Sequence, residues 1–328
     1  TAGNDHRLGG NEAPPSIVSI FLGDELTAIL RAIISGKKYV DMGNRTLKIG
    51  IDSIPSIPLD NTDRNRTSPI AFTGNKFEFR MLGSSQSIAG PNIAINTAMA
   101  EELTKFAEVL EKADDFHAAL ENLLRETFAA HERIIFNGNG YGKDWIAEAE
   151  RRGLPILNSS ADSLPAYVLE KNVELFQKHK VFSRTELEAR CDIHLEHYCK
   201  TLHVEADTMI DMIRRSIFPA VSAYIGVLSS SVINRRSALA AAITLPEEKL
   251  IAKLSRLNNR LWNTCDELEK ALKAPGIESN SKVKKARYYR DKIYTTMEKA
   301  RAIADELESY TAREYWPLPS YADLLFRV

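Results

Sequence analysis

Two long apolar seams near the C-terminal end constrain the chain most. Leu250, Leu254, Leu257, Leu261, Cys265, Leu268 and Leu272 recur at steps of three and four, the spacing that sets side chains on one helix face. Ala286, Tyr289, Ile293, Met297, Ala300, Ala304 and Leu307 repeat the pattern after the breaker Ala274-Pro275-Gly276. Two such helices joined by a short turn bury their faces against each other as an antiparallel hairpin. The heptad-like steps also allow coiled-coil packing within the chain or between subunits. Thr244 and Glu247 read as a capping box at the hairpin's start.

Further helices precede the hairpin. Ser183 and Glu186 form a second capping box, followed by a stripe of Leu187, Cys191, Leu195, Tyr198, Leu202, Met209 and Ile213. Pro91 suits a helix start, and Ile95, Met99, Leu103, Phe106 and Leu110 then mark an amphipathic helix. Phe116, Leu120 and Leu123 begin another, ending near Asn137. A helix over Asp24 to Ile34 stops at Gly36. Residues 1–15 read as loop, Ile17 to Phe21 as a strand or a helix lead, and Leu47 to Ile51 as a short strand. Composition changes near Gly90, with strands and loops before it and helices after it. The fold class is α+β, in three parts: 1–90, a mainly helical 91–243, and 244–328 with the hairpin and an aromatic tail that docks on the body.

The 328 residues suffice for two domains. A net charge of −1 supplies no global basic field for nucleic acid. Lys282 to Arg301 is basic and interleaved with Tyr288, Tyr289 and Tyr294, but balancing acids make it a solvated helix face. Three irregularly spaced cysteines, Cys191, Cys199 and Cys265, make no disulfide framework and fit a reducing, cytoplasmic setting. The apolar run Ile217 to Leu228 is interrupted by Pro219 and Gly226 and is too short to span a bilayer.

Chemistry concentrates in Asn65 to Met81. Phe77, Phe79 and Met81 alternate with Lys76, Glu78 and Arg80, so a strand here has one apolar face for a core and one charged face. A carboxylate between cations suits a place where a divalent metal meets anionic groups. On alternation alone, an edge strand with a salt-bridged, solvated face is the favoured reading, since charged strand faces usually meet water.

The order of residues bears on that choice. Asn65-Arg66-Thr67-Ser68, then Lys76-Phe77-Glu78-Phe79-Arg80 and a Gly/Ser/Pro turn into a helix, resembles the glutamine synthetase family. Arg7-Leu8, followed by Glu12-Ala13-Pro14, resembles that family's preceding motif. The wording GNEAPP, FTGNKFEFR and GSSQSIAGPN is most similar to the type III branch. These motifs cover roughly the first hundred residues.

The resemblance implies the C-terminal part of the family's α/β catalytic domain followed by the helical region. It implies ATP- and Mg²⁺- or Mn²⁺-dependent joining of ammonium to L-glutamate through a glutamyl phosphate. By position, Glu78 would ligate a divalent metal, and Arg80 would hold the substrate carboxylate or the phosphorylated intermediate. Arg66 would face ATP phosphate and the glutamyl phosphate, Lys76 the nucleotide, and Arg7 the glutamate. Glu12 would close the site and handle ammonium. The step from Arg7 to Glu12 is one residue shorter than in the bacterial type I pattern, and Ala71 stands where the family carries a second arginine. The family's other metal ligands and its small N-terminal β-domain precede these motifs. The chain therefore reads as a fragment, inactive alone, of a ring-forming homo-oligomer, by resemblance a dodecamer. No nucleic-acid or membrane partner is expected.

Two other functions fit the same residues: a non-catalytic relative or helical scaffold, and a ligase joining another amine to glutamate. Gly138, Gly140 and Gly142 lack the Walker A spacing and read as helix-end and turn glycines. Cys191, His194, His197, Cys199 and His203 have a spacing that zinc can use. Cys191 belongs to the apolar stripe, so packing is the favoured reading.

Overall fold

The computed structural model describes residues 5, 17–40, 46–47, 57–58, 68–80 and 87–326. Its chain divides into two compact units, one ending at Cys191 and the other running from Asp192.

In the first unit, β1 (Ile20–Phe21) leads into α1 (Gly23–Ser35). Asp24 and Glu25 occupy the first turn of α1, where carboxylates face the positive end of the helix dipole. Gly36 ends it at φ 64°, a left-handed conformation that glycine adopts without strain. β2 (Thr46–Leu47) and β3 (Ile57–Pro58) form a separate antiparallel pair. β4 (Ile70–Phe72) lies parallel to β1 and antiparallel to β5 (Phe77–Phe79), giving the order β1-β4-β5.

The apolar side of β5 is not a core face. Phe77 is 58% exposed and Phe79 only half-buried. Among the described residues β5 is the edge of its sheet, and Phe77 meets the ring of Phe72 across the strand pair at 5.3 Å. Met81 lies outside the described residues.

α2 (Ala89–Leu110) and α3 (Phe116–His131) follow. The expected stripe on α2 is covered only in part: Ile95, Phe106 and Leu110 are half-buried, while Met99 and Leu103 are exposed. Ile93, Thr97 and Glu101, four residues apart, carry further contacts on a neighbouring face. Ile93 joins the cluster of Val173, Phe176 and Leu187, and Thr97 is buried. Glu101 turns toward α6, placing polar and apolar anchors on one face.

α4 (Lys143–Arg151) and the short α5 (Ser160–Ser163) precede α6 (Glu170–Lys178). Ile17, Trp145, Ala149 and Leu154 form another core, over which Phe136 stacks on Trp145 at 3.9 Å. α7 (Arg184–Met212) opens on the expected capping box. The Ser183 N–H donates to Glu186 Oε2 (2.7 Å), and the Glu186 N–H donates to Ser183 Oγ (3.3 Å). Leu187 and Cys191 on its stripe are buried.

α7 continues into the second unit, where Leu195, Tyr198 and Leu202 extend its buried stripe. It then passes through a π turn (Ile213–Ile217) directly into α8 (Phe218–Ala238). Pro219 and Gly226 do not break this helix. Proline removes an N–H and crowds the carbonyl four residues back, here that of Arg215, and that carbonyl sits inside the widened turn. No charged residue lies between Ile217 and Asn234. By length and composition alone the Arg184–Ala238 helix is able to cross a membrane. One face of α8, with Val221 fully buried and Tyr224, Ile225 and Leu228 partly so, packs into the unit's core.

α9 (Leu245–Leu272) begins after Thr244. The Thr244–Glu247 capping box does not form. The Thr244 hydroxyl donates to Glu248 and accepts from Arg236 Nε, while Glu247 pairs with Arg235. Two arginines at the end of α8 compete for the carboxylates that would cap α9. A 3₁₀ turn (Pro275–Glu278) leads to α10 (Lys282–Tyr288), a π turn (Tyr289–Tyr294), α11 (Thr295–Tyr310) and α12 (Tyr321–Leu325). Tyr288 Oη donates to the carbonyl of Ala271, and Lys253 pairs with Glu306 at 3.1 Å, so α9 and the α10–α11 rod run side by side in opposite directions. Leu254, Leu257, Leu261, Cys265, Ala300, Ile303, Ala304 and Leu307 are buried in one cluster. In the tail, Trp316 and Leu318 pack on it, while Leu324, Leu325 and Phe326 are exposed.

Candidate functional site

The β4–β5 hairpin sets the geometry of the charged strand. Gly74 takes φ 95° in its turn, and the Arg80 N–H donates to the Pro69 carbonyl at 2.7 Å. This fixes the register Ile70 with Phe79, Ala71 with Glu78 and Phe72 with Phe77. Period-two alternation then brings Lys76, Glu78 and Arg80 to one face. Glu78 Oε2 accepts from Arg80 Nη2 (3.0 Å) and Nε (3.2 Å), and Lys76 Nζ stands 3.4 Å from Oε1.

The Arg80 side chain is 14% exposed and that of Glu78 39%, so the arginine is the anchor and the carboxylate reaches outward. Hydrogen bonding from Arg80, reinforced by Lys76 against a desolvation cost, holds the Glu78 carboxyl below the usual carboxylate range. Glu78 is therefore ionised at neutral pH, as a metal ligand must be. Ala71 faces Glu78 across the strand pair and is fully buried. A second arginine at that position would point to the same face, so the substitution removes a cation beside Glu78 and leaves Lys76 and Arg80.

A hard divalent cation takes six or more oxygen ligands. The described residues offer one carboxylate here, and no group of three or more potential ligands occurs among them. Glu78 suits such an ion and does not complete its shell. Arg7, Glu12 and Arg66 lie outside the described residues.

Asp5 lies two residues before Arg7. Its Oδ1 accepts from Ser160 Oγ (2.6 Å) and Ser160 N (3.0 Å) at the start of α5. Asn137 is another determinant that the sequence did not announce. Its Oδ1 accepts from the N–H groups of Leu22 and Gly23, and its Nδ2 donates to Thr27 Oγ1 and the Gly23 carbonyl. It thus supplies the cap that α1 lacks locally. The glycine cluster forms the turn around it. Gly138 lies so close to the Phe136 ring that a Cβ would come within 2.5 Å, and Gly142 caps the N-terminus of α4.

Cys191 and His203 of α7 make other contacts. Cys191 Sγ donates to the Leu164 carbonyl. Burial pushes the Cys199 thiol up to about 11, against the thiolate that zinc requires. His203 Nδ1 lies 2.9 Å from Tyr289 Oη, and its Nε2 lies 3.4 Å from Asp207. In the basic run, Tyr289 is core, Lys282 pairs with Asp192 and Glu196, and Arg301 pairs with Asp305.

Residues 119–236 match the glutamine synthetase C-terminal domain. Along 99% of its length the chain is also similar to whole proteins of that kind. It is 36% identical to a glutamine synthetase of Butyrivibrio fibrisolvens and 36% identical to one of Bacteroides fragilis, covering 46% of each. It is 35% identical to the type-3 glutamine synthetase of Dictyostelium discoideum, covering 45% of it. The similarity is to the glutamine synthetase family, and the chain spans about half the length of the curated relatives it matches.

Proposed function

We propose that the chain is the C-terminal portion of a type III glutamine synthetase, which joins ammonium to L-glutamate at the expense of ATP. The observation that carries this reading is the similarity along 99% of the chain to three proteins named glutamine synthetase. The Lys76–Glu78–Arg80 face supports it, because an ionised carboxylate held by an arginine is what phosphoryl transfer to a carboxylate substrate uses.

In this reading Glu78 supplies one ligand to Mg²⁺ or Mn²⁺, and the metal, when bound, neutralises phosphoryl oxygens. Arg80 binds the substrate carboxylate or the glutamyl phosphate through its guanidinium fork. Arg66 and Lys76 bind ATP phosphate and nucleotide, Arg7 binds glutamate, and Glu12 closes the site and takes the ammonium proton. Residues 1–90 belong to the catalytic domain, and 91–243 and 244–328 to helical regions that support a ring-shaped homo-oligomer in the cytoplasm.

The test is Glu78→Ala in a protein that also carries the family's upstream half. Loss of ATP- and Mg²⁺-dependent glutamine formation, with the fold retained, is the expected result. Unchanged activity would sink the assignment. Residues 1–328 alone should form no glutamine, and a rate matching that of the longer protein would show that the site is complete without the upstream half. Replacing ammonium by other amines separates this enzyme from a ligase of different amine specificity.

A further inference from the structure

We propose that a cavity in the first unit, between α1, α3 and α4, binds a small organic phosphate with an apolar ring portion, of the nucleoside monophosphate class. The cavity measures about 630 Å³, the size of a pocket for a small metabolite. Arg31 from α1, Arg133 from the turn after α3, and Arg151 and Arg152 from the end of α4 all line it, and Glu132 is the acid among its lining residues. The carboxylates that pair with these arginines are Glu132, with Arg31 at 3.4 Å, and Glu148, shared by Arg151 and Arg152. Four cations thus meet two carboxylates, and among the described residues Arg133 pairs with none.

Like charges gathered in a hollow repel, and an anion relieves them. Guanidinium forks match phosphate oxygens in pairs. The wall is already built. Arg152 Nη1 donates to the carbonyls of Ile135 (2.8 Å) and Arg133 (3.2 Å), and its guanidinium sits 5.4 Å over the Trp145 ring. Leu30, Ile34 and Phe136 give the cavity an apolar side, which an inorganic anion would leave unused. Asn137 is committed to capping α1, so the polar selectivity rests on the arginines.

The test is calorimetric titration of the purified chain with AMP, with inorganic phosphate and with adenosine. AMP should bind, more weakly as salt rises, and phosphate and adenosine should each bind at least tenfold more weakly. Arg133→Glu should weaken AMP binding at least tenfold. Ala130→Trp, which fills the cavity without changing charge, should do the same. Lys112→Glu, an equal charge change at a residue that does not line the cavity, should leave binding unchanged. Thermal unfolding of each variant checks that it folds. No AMP binding at millimolar concentration would overturn the proposal. So would binding that survives both cavity variants, or phosphate binding as tight as that of AMP.

Discussion

The α9–α11 pair and the β4–β5 pair are both two-element units marked by a regular apolar pattern, and they end differently. On the helical pair Leu261, Ile293, Met297 and Leu307 are buried completely. On the strand pair Phe77 stays more than half exposed and Phe79 half-covered. Periodicity decides which side chains share a face, but it does not decide what lies over that face. α9 and α11 cover each other, so pattern and burial coincide. Among the described residues β5 is a sheet edge, and its ordered chemistry is its charged side.

Substitutions can break or sharpen this contrast. Leu261→Ala should cost about 2–5 kcal/mol, the range for a fully buried leucine in a tight core, read by chemical denaturation. Phe79→Ala, half-covered, should cost about 1–2 kcal/mol. Ser183→Ala removes one half of a formed capping box and should cost about 1 kcal/mol. Phe77→Ala should stay within about 0.5 kcal/mol. If Phe77→Ala matched Leu261→Ala, the two units would not differ in the way described. Glu78→Gln should lower the melting temperature less than Phe79→Ala does, and the reverse order would exchange the roles of the two faces.

A pH experiment addresses the α2–α6 contact, which stands between these extremes. Glu101 accepts from Lys178 and His179, with Lys105 close by, and these hold its carboxyl at about 2 against an ordinary 4.5. A depressed carboxyl stabilises the fold fully above its unfolded value and loses that contribution as pH falls through its folded value. The stability gap between the native chain and Glu101→Gln should therefore hold above about pH 4.5 and close as pH falls toward 2. A gap independent of pH would show that the pairing adds nothing.

The sequence revealed those parts of the fold whose signal repeats. The α9 and α11 seams, the buried stripe of α7 and the Ser183–Glu186 box could be read because each rests on several residues at fixed spacing. The same holds for the shared face of Lys76, Glu78 and Arg80. Asn137 could not be read as the cap of α1, more than a hundred residues away, nor Asp5 as the partner of Ser160. A single polar side chain acting over that distance leaves no periodic trace. On α2 the period was right and the face only partly so, since Ile95, Phe106 and Leu110 are half-buried while Met99 and Leu103 stay exposed and Thr97 and Glu101 make contacts beside them. At Thr244 the local motif was correct in form, but Arg235 and Arg236 captured its acids.

The π turns have one further consequence. Each holds one residue more than an α-helical turn needs. A one-residue deletion inside Tyr289–Tyr294 would return the rod to ordinary winding and leave Ala286 and Ile303 facing as they do. The same deletion between Met297 and Ala300 would swing everything beyond it by about 100°. The chain thus carries slack at fixed points, places where its length can change by a residue while its shape does not.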